Sequence, residues 1–153
     1  MMHLMDPVPD FELPATGNQH FRLLAMRGAP LVLYFYPRDA TPGCTDEGLQ
    51  FKALHGEFSR MKCSVLGISR DSLGSHERFK AKMEFPFDLL SDEAEIACTL
   101  FGVMKLKNMY GKQVRGIERS TFILDADGRL RREWRGVSVP GHAQEVLDFV
   151  KSL

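Results

Sequence analysis

The sequence predicts an α/β fold: a mixed central sheet flanked by helices, with an N-terminal β-hairpin extension, in a single domain spanning residues 1–153. Three observations carry that expectation. Leu31–Tyr36 is apolar on both alternating faces, as a strand covered on two sides must be. Stretches of helical spacing alternate with strand-like runs through the first two thirds. The last third instead brings two strand-like runs together around Asp127-Gly128, which is hairpin chemistry. Crossover units early and a hairpin late make a mixed sheet between helices.

Taken in order, Phe11–Thr16 and His20–Leu24 flank the turn-prone Gly17-Asn18 and form the opening hairpin. Leu31–Tyr36 is the first buried strand, and Pro37 ends it. Leu49, Phe51, Leu54 and Phe58 give roughly helical spacing, so residues 45–58 read as a helix. Ser64–Ser69 is the next buried strand. Asp71 or Ser72 caps a helix running to about Glu84, ended before Pro86. Phe87–Leu90 is a short strand, and Asp92–Phe101 a helix with Gly102 as its C-terminal stop. Lys105-Leu106-Lys107 reads as a solvated loop. Ser120–Leu124 and Leu130–Arg135 pair as a hairpin, with Trp134 half-buried on the second arm. Ala143, Val146, Leu147 and Val150 mark a last amphipathic helix.

Composition bounds the function. The chain is 44% hydrophobic and 26% charged, and twenty basic residues balance twenty acidic ones. A general nucleic-acid binder carries a basic excess. The longest apolar run, Ala29–Tyr36, is far too short for a bilayer span, and the N-terminus has no secretory pattern. The expectation is a cytoplasmic protein without a membrane or nucleic-acid partner. Three cysteines, Cys44, Cys63 and Cys98, argue against a disulfide framework, and no C-x-x-C pair supports a zinc site. Five scattered histidines show no ligand spacing, so no metal is expected.

The chemistry sits in Tyr36-Pro37-Arg38-Asp39-Ala40-Thr41-Pro42-Gly43-Cys44-Thr45-Asp46-Glu47. It leaves a buried strand, crosses a loop and enters a helix. Cys44 therefore falls at or near a helix N-terminus, where free amides and the helix dipole favour a thiolate, the reactive form. Thr41 lies three residues upstream, where its hydroxyl folds back towards the sulfur. Pro37 and Pro42 stiffen the loop.

This string resembles the active site of the peroxiredoxins, specifically the bacterioferritin comigratory (Q-type) subfamily. The family pattern Pro-x-x-x-Thr-x-x-Cys is met by Pro37, Thr41 and Cys44, and Pro42, Gly43, Thr45 and Glu47 match its common extension. Asp6–Pro14, Val65–Ser72, Leu89–Asp92, Phe101–Val103, Tyr110–Lys112 and Gly116–Asp125 also resemble the family, so nearly the whole chain is covered. The resemblance implies a thioredoxin-like fold and a thiol-dependent peroxidase in antioxidant defence and redox homeostasis. It implies Cys44 as nucleophile and Arg119, ahead of the Ser-Thr-Phe strand, as a fixed positive charge beside the sulfur. Thr41 accepts from the peroxide O–H while its own proton goes to the sulfur or an oxygen. The amides of Cys44 and Gly43 donate to the peroxide. Glu47 either orients Arg119 or favours the helix N-terminus. No cofactor is required.

The resemblance also implies how the oxidised sulfur is reduced. One branch of the subfamily keeps a resolving cysteine at the position of Leu49, and another at the position aligned to Lys80; neither is a cysteine here. The sequence ends at its last predicted helix, without the arm that carries a resolving thiol in two-Cys enzymes. A one-Cys cycle is therefore expected, with thioredoxin, glutaredoxin or a small thiol as reductant, in a monomer rather than a dimer. Cys98 is the leading internal alternative. A thioredoxin-like disulfide oxidoreductase fits less well, because Thr41 stands where the first cysteine of C-x-x-C would be. A non-enzymatic binding module has no use for Pro37, Thr41, Cys44 and Arg119 together.

Overall fold

The computed structural model describes residues 2–153. The chain runs β1 (Glu12–Ala15), β2 (Gln19–Arg22), β3 (Leu31–Phe35), α1 (Pro42–Arg60), β4 (Ser64–Ser69), α2 (Leu73–Met83), β5 (Leu89–Ser91), α3 (Ile96–Phe101), β6 (Met104–Met109), β7 (Lys112–Ile117), β8 (Ser120–Leu124), β9 (Leu130–Arg135) and α4 (His142–Lys151). Among the described residues, seven strands form one sheet in the order β2-β1-β5-β4-β3-β8-β9, and β6 pairs only with β7. Strands β3, β4 and β5 are parallel, while β8 runs antiparallel to β3 and β9 to β8. This is the mixed α/β architecture, with the β1–β2 hairpin added beside β5.

Alternation along β3 explains the layers. Leu31, Leu33 and Phe35 face a core with Ile68, Phe101, Val103 and Phe122. Val32, Tyr34 and Tyr36 face the opposite core, with Phe51 and Phe58 of α1, Phe79 of α2, and Val146 and Leu147 of α4. Helices α1, α2 and α4 thus cover one face, and α3 lies on the other. Gly48 lets α1 approach Phe85: a side-chain carbon at position 48 would stand 2.4 Å from the ring.

Several boundaries move. The helix after Cys44 begins at Pro42, because proline at the first position needs no amide partner, and it contains Cys44. Ser72 caps α2 by accepting from the Ser75 amide at 3.2 Å. Helix α3 starts at Ile96, later than expected, and the Asp92 carboxylate accepts from the amides of Ile96 and Cys98. Gly102 closes α3 at φ 64°. Lys105–Lys107 belongs to β6, not to a loop. Leu106 is 68% exposed, so this ribbon has no apolar face to reveal it. Its sequence signal is the turn, Tyr110 and Gly111, both at positive φ as a two-residue hairpin requires. Trp134 is half-buried, with the Arg132 guanidinium 4.6 Å from its ring centre.

Candidate active site

The parallel strands end on the loop that joins β3 to α1, the usual place for a site in an open α/β sheet. Cys44 is the third residue of α1, so its amide belongs to the first turn, whose N–H groups lack carbonyl partners within the helix. Its side chain is 2% exposed and lies in the core with Tyr34, Tyr36 and Phe51.

Register brings Arg119 to the same place. β8 is antiparallel to β3 and Ser120 stands opposite Phe35, so β8 begins where β3 ends. Arg119, just before it, donates from Nη2 to Cys44 Sγ at 3.5 Å and from Nη1 to Glu47 Oε1 at 2.7 Å. Gly43 makes room for this approach: a side-chain carbon there would stand 3.2 Å from Arg119 Nη2.

Glu47 lies one turn beyond Cys44 on the same helix face and is 1% exposed. Of the two readings open in the sequence, the geometry matches the contact with Arg119. Among the described residues its second oxygen, Oε2, is buried without a hydrogen-bond partner. Burial pushes the Glu47 carboxyl up to about 7, and the attraction of Arg119 only partly opposes this. Burial also works against the Arg119 charge, but the negative groups of Glu47 and Cys44 outweigh it and hold the guanidinium above its ordinary value. The pair's two members respond differently because Arg119 keeps some solvent contact, its side chain being 16% exposed against 1% for Glu47.

Of the two acceptors expected for the Thr41 proton, the sulfur or an oxygen, the hydrogen bond present is to an oxygen. The Thr41 hydroxyl donates to the Arg38 carbonyl at 2.9 Å, so its proton goes to the backbone of its own loop and not to the sulfur. The oxygen's lone pairs stay available to accept. Pro37 forms the bend after β3 and is half-buried.

The other cysteines stand apart. Cys98 lies in the core on the opposite face of the sheet, and burial together with the Asp92 carboxylate pushes its thiol well above the ordinary range. Cys63 shares the Cys44 face but follows the far end of α1. From Cys44 to the end of that helix is about 24 Å at 1.5 Å per residue. Burial pushes the Cys63 thiol up to about 12.

Sequence reading passed over Asp39, Tyr36 and His76. All three are buried and joined by hydrogen bonds beside the active-site loop. Asp39, Asp71 and His76 hold ligand-type atoms within 4.8 Å of one another. Those atoms are already committed to hydrogen bonds with Tyr36, Ser69, Ser75, each other and the backbone.

Comparison with known proteins settles the family. The AhpC/TSA family model matches residues 4–133. The chain belongs to the AhpC/TSA family. A peroxiredoxin Bcp from Xanthomonas campestris is 51% identical over 148 residues, 95% of this chain and 92% of that one. A peroxiredoxin Bcp from Bacillus subtilis is 43% identical over 145 residues, with the same two shares. The solved bacterioferritin comigratory protein of Xanthomonas campestris superposes with TM-score 0.91 at 49% identity, covering 99% of this chain and 97% of that one. The BcpB peroxidoxin of Mycobacterium tuberculosis does so with TM-score 0.88 at 33% identity, covering 100% and 99%. This AhpC/TSA member is accordingly a peroxiredoxin of the Bcp kind, a thiol peroxidase on a thioredoxin-like fold. No helix among its described residues is long and apolar enough to cross a membrane.

Proposed function

We infer that the protein reduces hydrogen peroxide and organic hydroperoxides at Cys44, through a sulfenic acid that an external thiol resolves. The observation that carries this reading is the Arg119 guanidinium 3.5 Å from a cysteine sulfur in the first turn of a helix. Positive charge from the side chain and from the helix end converges on one sulfur. The Xanthomonas campestris relative is described with alkyl peroxide reduction activity, and organic hydroperoxides are its analogous substrates here.

In the reaction the Cys44 thiolate attacks the terminal peroxide oxygen. A sulfur–oxygen bond forms, the O–O bond breaks, and the sulfenic acid is left on Cys44. The departing alkoxide or hydroxide takes from solvent a proton equivalent to the one Cys44 released on ionising, and leaves as alcohol or water. Thr41 Oγ accepts from the peroxide O–H, its own proton being donated to the Arg38 backbone carbonyl. The Cys44 and Gly43 amides and Arg119 oppose the charge that grows on the leaving oxygen. Glu47 orients Arg119, and Pro37 ends the strand at the mouth of the loop.

The one-Cys cycle rests on position. Leu49 is a partly exposed residue of α1, and Lys80 pairs with Asp88 at 2.7 Å, so neither subfamily position offers a thiol. Cys98 and Cys63 are remote for the reasons given above. The reductant is a thioredoxin, a glutaredoxin or a small thiol, and the working form is a cytoplasmic monomer in one domain.

Intact-mass analysis after one equivalent of peroxide tests the reading. The expected product is one added oxygen on the Cys44 peptide, absent from Cys44→Ser. A Cys44–Cys98 disulfide in the oxidised parent, with turnover lost in Cys98→Ser, overturns the one-Cys cycle. Peroxide consumption surviving in Cys44→Ser overturns the whole assignment.

A further inference from the structure

Asp39 lies inside the active-site loop, between Pro37 and Thr41, yet its side chain turns inward and the residue is 8% exposed. Each of its polar handles is occupied. Tyr36 donates its hydroxyl to Oδ1 at 2.6 Å, Ser75 donates to Oδ2 at 2.8 Å, and His76 Nδ1 meets Oδ2 at 2.7 Å. The Asp39 amide donates to Asp71 Oδ2 at 2.9 Å. His76 is fully buried, and its Nε2 reaches the Leu90 carbonyl of β5 at 2.9 Å. One loop residue is thus tied to α2, to the end of β4 and to β5.

The residue after it is strained. Ala40 sits at φ 61°, the left-handed region, which is unfavourable for a residue with a Cβ. Such a conformation persists only where its surroundings over-determine it. Here the tether is Asp39 on one side and helix α1 on the other. The turn at Ala40 folds Thr41 back so that its hydroxyl meets the Arg38 carbonyl at 2.9 Å. Thr41 is therefore aimed by a bend that Asp39 anchors.

We propose that Asp39 and His76 are positioning residues for peroxide: held together in the core, they fix the bend at Ala40 and through it the direction of the Thr41 oxygen. Neither residue hydrogen-bonds Cys44 or Arg119 among the described contacts, so they act through the loop. The proposal rests on the peroxidase reading above. It predicts a loss confined to peroxide, because an alkylating agent needs the Cys44 sulfur but not a second oxygen aligned on Thr41.

The test compares two rates at Cys44, with hydrogen peroxide and with iodoacetamide, alongside thermal unfolding. Four variants are used. Asp39→Asn weakens the acceptor. His76→Gln keeps a donor near Nε2, towards Leu90, and loses the one towards Asp39. His76→Asn does the reverse. Tyr36→Phe removes one tie to Asp39 while keeping the ring, and it carries the test should a change at 39 or 76 prevent folding. A misplacement near 1 Å costs up to about a hundredfold, so the peroxide rate should fall about tenfold to a hundredfold in Asp39→Asn and His76→Gln, and about threefold in Tyr36→Phe, with alkylation held within about twofold. His76→Asn should recover most of the peroxide rate even where it melts as early as His76→Gln.

Peroxide and alkylation rates that fall in parallel would overturn the proposal, as would an unchanged peroxide rate or equal rates in the two His76 variants. A parent protein whose Cys44 does not react with peroxide at all would overturn the peroxidase reading itself, an outcome distinct from all of these.

Discussion

Replacing Glu47 by Gln should make the protein more stable in alkali and leave it almost unchanged in acid. Glutamine has nearly the shape of a protonated glutamate, so the substitution holds position 47 in its neutral form. The buried Glu47 carboxyl sits at about 7, above its ordinary 4.5. Between those values the folded chain binds the proton that the unfolded chain has released. The stability tied to protonated Glu47 is therefore fully present below about pH 4.5 and is lost as the pH rises through about 7. The gap of about 2.5 pH units, at 1.36 kcal/mol each, amounts to about 3 kcal/mol. Because Glu47 is 1% exposed, solvent screening does not reduce that figure. Urea titrations of parent and variant from pH 4.5 to pH 8.5 measure it directly. With a slope near 2 kcal/mol per molar, the variant's midpoint should lead by about 1.5 M at pH 8.5 and by almost nothing at pH 4.5. Every group other than the side chain at position 47 is common to both proteins and cancels in the difference. A constant difference across this range would refute the reasoning. A variant weaker in alkali would show that the 2.7 Å bond to Arg119 outweighs the burial.

Three further outcomes are expected. Thr41→Val, which keeps the shape and loses the hydroxyl, should slow peroxide reduction about a hundredfold to a thousandfold, while Thr41→Ser retains most of the rate; stopped-flow oxidation of Cys44 reads both. Gly48→Ala would bring a carbon within 2.4 Å of Phe85 and should destabilise the fold by about 1–3 kcal/mol in urea titrations, with its site residues unchanged. The double variant Cys63→Ser, Cys98→Ser should turn over with an external thiol at close to the parent rate, although burying a hydroxyl at two apolar core positions lowers its melting temperature.

Much of the fold was legible because it rests on local signals. Leu31–Phe35 is apolar on both faces and is buried at every position. Gly102 marks its helix end by a backbone angle other residues resist. The β6–β7 ribbon was illegible because Leu106 and Val114 face solvent, leaving no buried alternation to count. Within the site, Thr41 and Cys44 are near neighbours in the chain, so a strand-loop-helix pattern was enough to place them together. Arg119 is 75 residues from Cys44, and only the family resemblance pointed to it. Asp39 and His76 are 37 residues apart, and the hydrogen bond joining them has no signature in spacing. The sequence left the Thr41 proton open between the sulfur and an oxygen, because a hydroxyl's choice between a sulfur and a nearby carbonyl depends on the bend at Ala40, which no residue preference announces.

The pairing of Phe35 with Ser120 has a consequence for the chain while it is being made. Synthesis delivers Cys44 and its helix long before it delivers Arg119. Until β8 docks against β3, the sulfur lacks the guanidinium that the finished site holds against it. An emerging chain therefore carries its thiol without the side-chain half of its activating charge, and that half arrives when β8 pairs with β3 as far as Phe35 and Ser120. Reactivity at Cys44 would thus report the docking of β8 on β3, readable by chemistry alone.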